Sequence, residues 1–399
     1  MTSADTPPSL ELRTLDDLGD VNDRRVLVRV DFNVPLDNGQ VADDTRIRLV
    51  LPTLRALRER GARLLLVSHL GRPKDRDPAL SLRPVVDRLA LLLDHEVVLA
   101  PNLDDIPDGD LVVAENIRYE PGETKNDPGL AARLGALADV YVNDAFGSAH
   151  RAHASTEGVV RYVARSAAGL LFEREVAMLS ATMSNPQRPL VAVLGGAKAT
   201  DKIAVIKRFL EVADAVLLGG GMGYPFLAAR GRRIGNSLCD AAGLAAASRT
   251  LELPQASEKL RLAVDLVVAD RLSADAARRV VNIDGEDIED GWEALDIGPR
   301  TREAYAQIID EAGTVFWNGP VGAFELAPFA AGTHAIADAV VATDAVTVVG
   351  GGDSIAALTK YGVEDRVTHL STGGGASLEF VEGRALPGVV ALLREPAQA

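Results

Sequence analysis

The stretch "TVVGGGDSIAALTK", residues 347–360, runs from β-branched residues through three glycines into an acid, a hydroxyl and a helix-like segment. The pattern recurs in "AVLLGGGMGYPFL" (215–227) and "THLSTGGGASLEFV" (368–381), and in shorter form in "VAVLGGAKATDKIAVI" (191–206). Each glycine run follows an apolar strand and precedes a helix. In open parallel sheets, ligands sit beyond the carboxyl ends of the strands. Glycine lets the backbone approach a ligand and adopt positive φ, and the helix that follows offers free N–H groups and a positive dipole end to an anion. One triplet alone reads as a turn; several in one half of a chain read as a phosphate-lined rim.

Outward from these loops, strands alternate with helices. "RVLVRVDF", "RLLLVSH", "LVVAENI", "DVYVNDAF", "PLVAVLGG", "AVLLGGG", "DLVVAD", "TVFWNGP" and "AVTVVGGG" are near-continuous apolar runs, as expected of strands covered on both faces. Helical patterns separate them at 45–61, 81–94, 201–214 and 301–313, with Ser81 and Thr301 where N-caps belong. The alternation predicts an α/β protein with largely parallel sheets. The expected architecture is two doubly wound parallel-sheet domains joined by a helix, with a cleft between them. The joining helix is expected within "AAGLLFEREVAMLSATMSN" (167–185), which ends at Pro186.

At 399 residues, 47% hydrophobic and 25% charged, the chain has the composition of a soluble globular protein with two cores. Its start lacks the pattern of a signal peptide, and no apolar run reaches the ~18–20 residues of a membrane helix. The single cysteine, Cys239, excludes an internal disulfide and fits a reducing compartment. A cytoplasmic protein without membrane partners is expected. The formal charge of −15 opposes general nucleic-acid binding. It leaves room for anionic small molecules where basic residues gather in one cleft.

"GGAKATDK" is not a Walker loop, and no GxGxxG opens a βαβ unit, which disfavours a nicotinamide-dependent dehydrogenase. Lys198 and Lys202, four apart, are expected on one face of the helix opening there, as phosphate clamps or as a solvated face. Asp353 and Ser354 read equally as helix caps and, for Asp353, as a Mg²⁺ ligand beside phosphates. In the first half, Arg72, Arg118 and Arg151, with His69 and His153, fall after strand ends. Arg46 opens a helix whose apolar face is Ile47, Val50, Leu54 and Leu57. A cation there opposes the dipole, so it either pairs with Asp43 or Asp44 or has a functional task. Four arginines near strand ends suit a polyanion held by forked guanidinium groups. One half then reads as built for nucleotide phosphates and the other for a small anion. Phosphoryl transfer asks for positioning and charge neutralisation, and a carboxylate acceptor needs no general base.

"RVLVRVDFNVPL" (25–36), "SHLGRP" (68–73), "GSAHRAHAST" (147–156), "GGAKATDKI" (195–203), "EDGWEALDIGP" (289–299), "FWNGPVGAFE" (316–325), "VVGGGDS" (348–354) and "STGGGASLE" (371–379) closely resemble the phosphoglycerate kinase family, in order and over nearly the whole chain. The resemblance implies a phosphotransferase with a carboxyl group as acceptor. Its reaction is the reversible transfer of the acyl phosphate of 1,3-bisphosphoglycerate to ADP, giving 3-phosphoglycerate and ATP with Mg²⁺. It also implies a monomer that works by domain closure. Residues 1–170 would bind phosphoglycerate, with 380–399 packing back onto them, 186–379 would bind nucleotide, and 171–185 would be the interdomain helix. Matched by motif, Asp31, Asn33, Arg46, His69, Arg72, Arg118 and Arg151 are the expected substrate residues. Arg46 and Lys198 would meet the transferring phosphoryl group from either side, with Gly352 and Gly375 presenting backbone to it. Lys202 and Asn318 would neighbour the nucleotide phosphates, in a loop region that includes Gly351 and Ser354, and Asp353 would hold Mg²⁺. Glu325 would bind the ribose, with Gly196, Ala197, Gly220 and Gly221 near the adenine. Ala323 and "MGYPF" depart from the common pattern near that pocket. About nine N-terminal residues lie outside the family pattern and read as disordered. A non-enzymatic relative that has kept the site is the remaining alternative.

Overall fold

The computed structural model describes residues 10–394, so the expectation about the first nine residues lies outside it. The chain divides into two compact units, 10–177 with 383–394, and 178–382. The helix Leu170–Ser184 carries the chain from one unit to the other.

In the first unit six parallel strands lie in the order Val98–Ala100, Leu111–Ala114, Arg63–Val67, Arg25–Arg29, Val140–Asn143 and Ser166–Ala168. Val26, Leu27, Val28, Leu64, Leu65 and Leu66 are essentially inaccessible, which is why these strands are apolar throughout. Arg29 is the exception, fully buried in register with Val67 and Asn143 at the carboxyl end of its strand. Helix Thr45–Glu59 buries Ile47, Val50, Leu54 and Leu57 completely, the face expected from their spacing. Ser81 acts two residues before helix Arg83–Leu93, its hydroxyl accepting from the Arg83 N–H at 3.2 Å. Asp144, just past strand Val140–Asn143, accepts from the Phe172 N–H at 3.0 Å and so caps the helix Leu170–Ser184.

The second unit has a six-stranded parallel sheet ordered Leu260–Arg261, Ala215–Leu218, Leu190–Leu194, Thr314–Asn318, Val346–Gly350 and His369–Ser371. In this sheet the chain winds one way from Leu190–Leu194 and then the other way from Thr314–Asn318. These two strands are neighbours, and the crevice beyond their carboxyl ends is the topological switch point where α/β sheets hold ligands.

Two expectations about this unit need correction. "DLVVAD" is not a strand of a parallel sheet. Asp265–Ala269 is the centre of a separate antiparallel sheet, between Arg278–Asn282 and Glu293–Ile297. Thr301 is not an N-cap, because the helix runs Pro299–Asp310 from Gly298. Asp265 caps it from another strand, accepting from the Arg300 and Thr301 N–H groups at 3.0 and 2.8 Å, while the Thr301 hydroxyl donates to the same carboxylate at 2.7 Å.

Candidate active site

Arg29 organises the carboxyl end of the first sheet. Its Nε donates to Ser155 Oγ at 2.8 Å, one terminal nitrogen donates to the Val30 carbonyl, and the other meets His69 Nδ1 at 3.1 Å. A guanidinium can only donate, so Nδ1 is the acceptor and His69 carries its proton on Nε2. Ser155 in turn donates its hydroxyl and its N–H to the buried carboxylate of Glu123, at 2.6 and 3.0 Å. Arg46 does not pair with Asp43 or Asp44. It donates to Asp31 Oδ2 at 2.6 Å, while Asp44 is taken by Arg48 and Arg88. Burial opposes ionisation of Asp31, but Arg46, His69 and Arg29 outweigh it and hold the carboxyl below its usual range.

Asn33 is close by, accepting from the Gly71 N–H at 2.8 Å. Arg118 donates to the Gly71 carbonyl at 2.5 Å, and its Nε is buried without a partner. Burial, then the charge of Arg29, lowers the pKa of this guanidinium, and Arg72 adds to the repulsion. Arg72 and Arg151 are exposed, and their side chains make no hydrogen bond or ion pair among the described residues. His153 is within reach of the fields of Arg29, Arg118 and Arg151. The expected substrate residues of the first half are therefore brought together. Among the described residues, the carboxylates that act on Arg29, Arg46, Arg72, Arg118 and Arg151 in these networks are those of Asp31 and Glu123, so an incoming polyanion would relieve the arginines' mutual repulsion.

Burial pushes His69 down to about 3 and His153 down to about 4, and neighbouring arginines add to the effect. Both rings are neutral at pH 7. The expected result is that their imidazole NMR shifts stay flat down to about pH 5, where free histidine would already be charged; a midpoint near 6.5 in either ring would contradict this. Both folded values lie below the unfolded one, so the histidines' contribution to stability is lost as pH falls from about 6.5. Asp144 and Asp296, raised by burial to about 6 and about 7, act in the opposite direction over the same window. Their folded forms take up protons first and gain stability as pH falls.

In the second unit the glycine loops meet at the switch point. The Gly195 N–H donates to the Asn318 carbonyl at 3.0 Å. A Cβ on Gly195 would lie 2.1 Å from the Pro320 carbonyl oxygen, and one on Gly221 would lie 2.2 Å from that of Ala197. Only glycine allows these loops to close together. They line a cavity of ≈ 290 Å³ that gathers Gly196, Ala197, Gly220, Gly221, Glu325 and Asp353. Tyr224 and Ala323, the positions that depart from the family pattern, line it too. Lys198 lies on an adjoining cavity that shares Ala197 and Gly221.

The two lysines do not share a helical face. Lys198 is extended and exposed, and the helix proper is Ile203–Val212. Lys202 turns inward, donating to the Gly195 and Asn318 carbonyls at 2.9 and 3.3 Å. Asp353 is not a cap: helix Gly352–Tyr361 starts from Gly351, whose φ is 90°. The Asp353 carboxylate is exposed in the first turn. Ser354 is buried and accepts from the Gly319 N–H at 2.6 Å. Gly352 has open space where a Cβ would stand, and Gly375 opens helix Gly375–Val381. Asn318 is buried with its amide nitrogen unpartnered beside Gly351.

Sequence reading missed Arg29, Glu123 and Ser155. The signal for Arg29 was present, since a charge inside "RVLVRVDF" contradicts a strand buried on both faces unless it is paired.

The model of the family described as "Phosphoglycerate kinase" matches residues 15–384. A phosphoglycerate kinase of Moorella thermoacetica is 51% identical over 390 residues, covering 95% of this chain and 98% of its own. One from a Roseiflexus species is 52% identical over 394 residues, with the same coverage. Among solved structures, the phosphoglycerate kinase from Coxiella burnetii superposes with a TM-score of 0.88 at 41% identity, covering 96% of this chain and 98% of that one. The enzyme from Pyrococcus horikoshii gives 0.83 at 32% identity with the same coverage.

Proposed function

The chain belongs to the phosphoglycerate kinase family, and from that premise we propose how its residues divide the work. The reaction is the glycolytic one, reversible transfer of the acyl phosphate of 1,3-bisphosphoglycerate to ADP, giving 3-phosphoglycerate and ATP. The observation that carries the residue assignment is the arginine cluster around Arg29 and His69, which has more guanidinium groups than counter-charges.

In the direction of ATP use, a 3-phosphoglycerate carboxylate oxygen attacks the γ-phosphorus and the bond to the β-phosphate oxygen breaks. The acceptor is already ionised at neutral pH, so no side chain has to remove a proton. Arg72, Arg118 and Arg151 bind the substrate's anionic groups, and Asp31 and Asn33 orient its polar groups. His69, neutral and protonated on Nε2, donates a hydrogen bond. Arg46 from one side and Lys198 from the other neutralise charge on the transferring group, with the Gly352 and Gly375 backbone beside it. Glu325 takes the ribose hydroxyls, Lys202 and Asn318 border the phosphates, and the Gly196–Ala197 and Gly220–Gly221 loops hold the base. Mg²⁺ bound to nucleotide phosphates uses one or two protein carboxylates. Exposed Asp353, beside Gly351 and Gly352, fits that need and would hold the ion, which offsets phosphate charge when bound.

A coupled assay of the purified protein with 3-phosphoglycerate, ATP and Mg²⁺ tests the activity; no turnover would leave a relative that binds without catalysing. A cytoplasmic monomer is part of the proposal, supported by the lone exposed Cys239 and open to sedimentation. The substrate residues lie on one unit and the nucleotide residues on the other, yet transfer needs reacting atoms roughly 3–3.5 Å apart. Ligand-driven closure is therefore expected. The radius of gyration from small-angle scattering should fall when 3-phosphoglycerate, a non-hydrolysable ATP analogue and Mg²⁺ are all bound. No change in an active sample would count against closure.

A further inference from the structure

We infer that Lys360, at the opposite end of its helix from Asp353 and Ser354, is a positioning residue for the ribose. The inference rests on the reading of Glu325 given above.

Helix Gly352–Tyr361 presents Gly352 and Asp353 at its first turn. The same helix grips the loop after strand Thr314–Asn318 at two points. At its start, buried Ser354 accepts from the Gly319 N–H at 2.6 Å. At its end, Lys360 Nζ donates to the Phe324 carbonyl at 2.8 Å and stands 5.5 Å from the centre of the Phe324 ring. The two grips are six residues apart, about 9 Å along a rigid helix.

Between the gripped residues lie Pro320, Gly322 and Ala323, all on the wall of the nucleotide cavity, and Glu325 follows directly. The Phe324 carbonyl belongs to the peptide unit that leads into Glu325, so holding it sets where the Glu325 carboxylate starts from. Elsewhere the loop is tied through the Ala323 N–H to the Leu295 carbonyl, at 2.8 Å, and through the Val321 N–H to Thr333 Oγ1, at 3.2 Å, both ahead of Phe324 in the chain. Glu325 itself is exposed and has no hydrogen bond or ion pair among the described residues. Its starting point is therefore set by its backbone, which the helix carrying Asp353 holds through the preceding Phe324 carbonyl. Ser354 acts through the loop in the same way, since its hydroxyl is already engaged by Gly319.

A lysine that merely complemented the C-terminal end of the helix dipole would have no effect on ribose recognition. Steady-state kinetics with ADP and 2′,3′-dideoxy-ADP separates the two roles. The wild type should prefer ADP. Lys360→Met should raise KM for ADP about five- to tenfold, the loss of one charge-assisted hydrogen bond, while leaving KM for dideoxy-ADP, KM for the acyl phosphate and kcat nearly unchanged. Lys360→Arg, which keeps a donor, should restore most of the preference. Equal losses on both nucleotides, or a rise in both substrates' KM with a lowered Tm, would overturn the role, because the defect would then be general. Glu325→Gln distinguishes the two levels of the argument. If it abolishes the preference while Lys360→Met retains it, the positioning role alone fails. If the wild type has no preference, the ribose reading fails and this inference with it.

Discussion

Replacing Arg46 by alanine is expected to lower kcat by roughly three to five powers of ten, by analogy with other arginines that meet a transferring phosphoryl group. The residue stands at the start of a helix, where a cation opposes the dipole, and the neighbours that could have explained it electrostatically are engaged elsewhere. Asp44 holds Arg48 and Arg88, and Arg46 reaches back to Asp31 within the arginine cluster. Its side chain remains 34% exposed, free to exchange that partner for a phosphoryl oxygen. An arginine serving only as a partly exposed ion pair would be worth under about 1 kcal/mol, and its loss would leave turnover intact. Stopped-flow or coupled assays of a folded Arg46→Ala protein decide the matter, and a wild-type kcat would end the proposal.

Arg29→Met is expected to have the largest effect on stability, about 3–5 kcal/mol, because it removes the cation from a buried network, with its hydrogen bonds, and takes from buried Glu123 its strongest attraction. Burial already raises the Glu123 pKa, against the pull of Arg29 and the Ser155 hydrogen bonds. For a unit of this size the loss corresponds to roughly ten degrees in Tm. KM for 3-phosphoglycerate should rise as well, since His69 loses the donor that fixes its tautomer. Adding Glu123→Gln to Arg29→Met should recover part of the stability, because the stranded charge is then gone. If the two losses simply added, the buried-pair account would be wrong.

Much of the site was legible because its signals are local. A glycine triplet between a strand and a helix carries its meaning within about ten residues, and the switch point follows from strand–helix alternation. Arg46 was noticeable because the helix-dipole penalty acts within one turn. Lys198 and Lys202 were misplaced for the same reason. Helical spacing is a local rule, but the helix starts only after Lys202, whose amine is drawn to the carbonyls of Gly195 and distant Asn318.

The sequence by itself determined that this is an α/β protein with glycine-rich loops in one half and arginine-bearing loops in the other, because apolar runs, helix periods and turn chemistry depend on neighbours along the chain. Only the tertiary structure decided which charges are buried and what they meet. Arg29 finds Ser155 126 positions away, Thr301 finds Asp265 36 positions away, and Lys360 finds Phe324 36 positions away. A buried charge is tolerable only when folding brings it a partner. A helix can likewise take its cap from another strand, as Pro299–Asp310 does from Asp265. Such partners are set by strand order and register, which place residues side by side that no spacing along the chain connects.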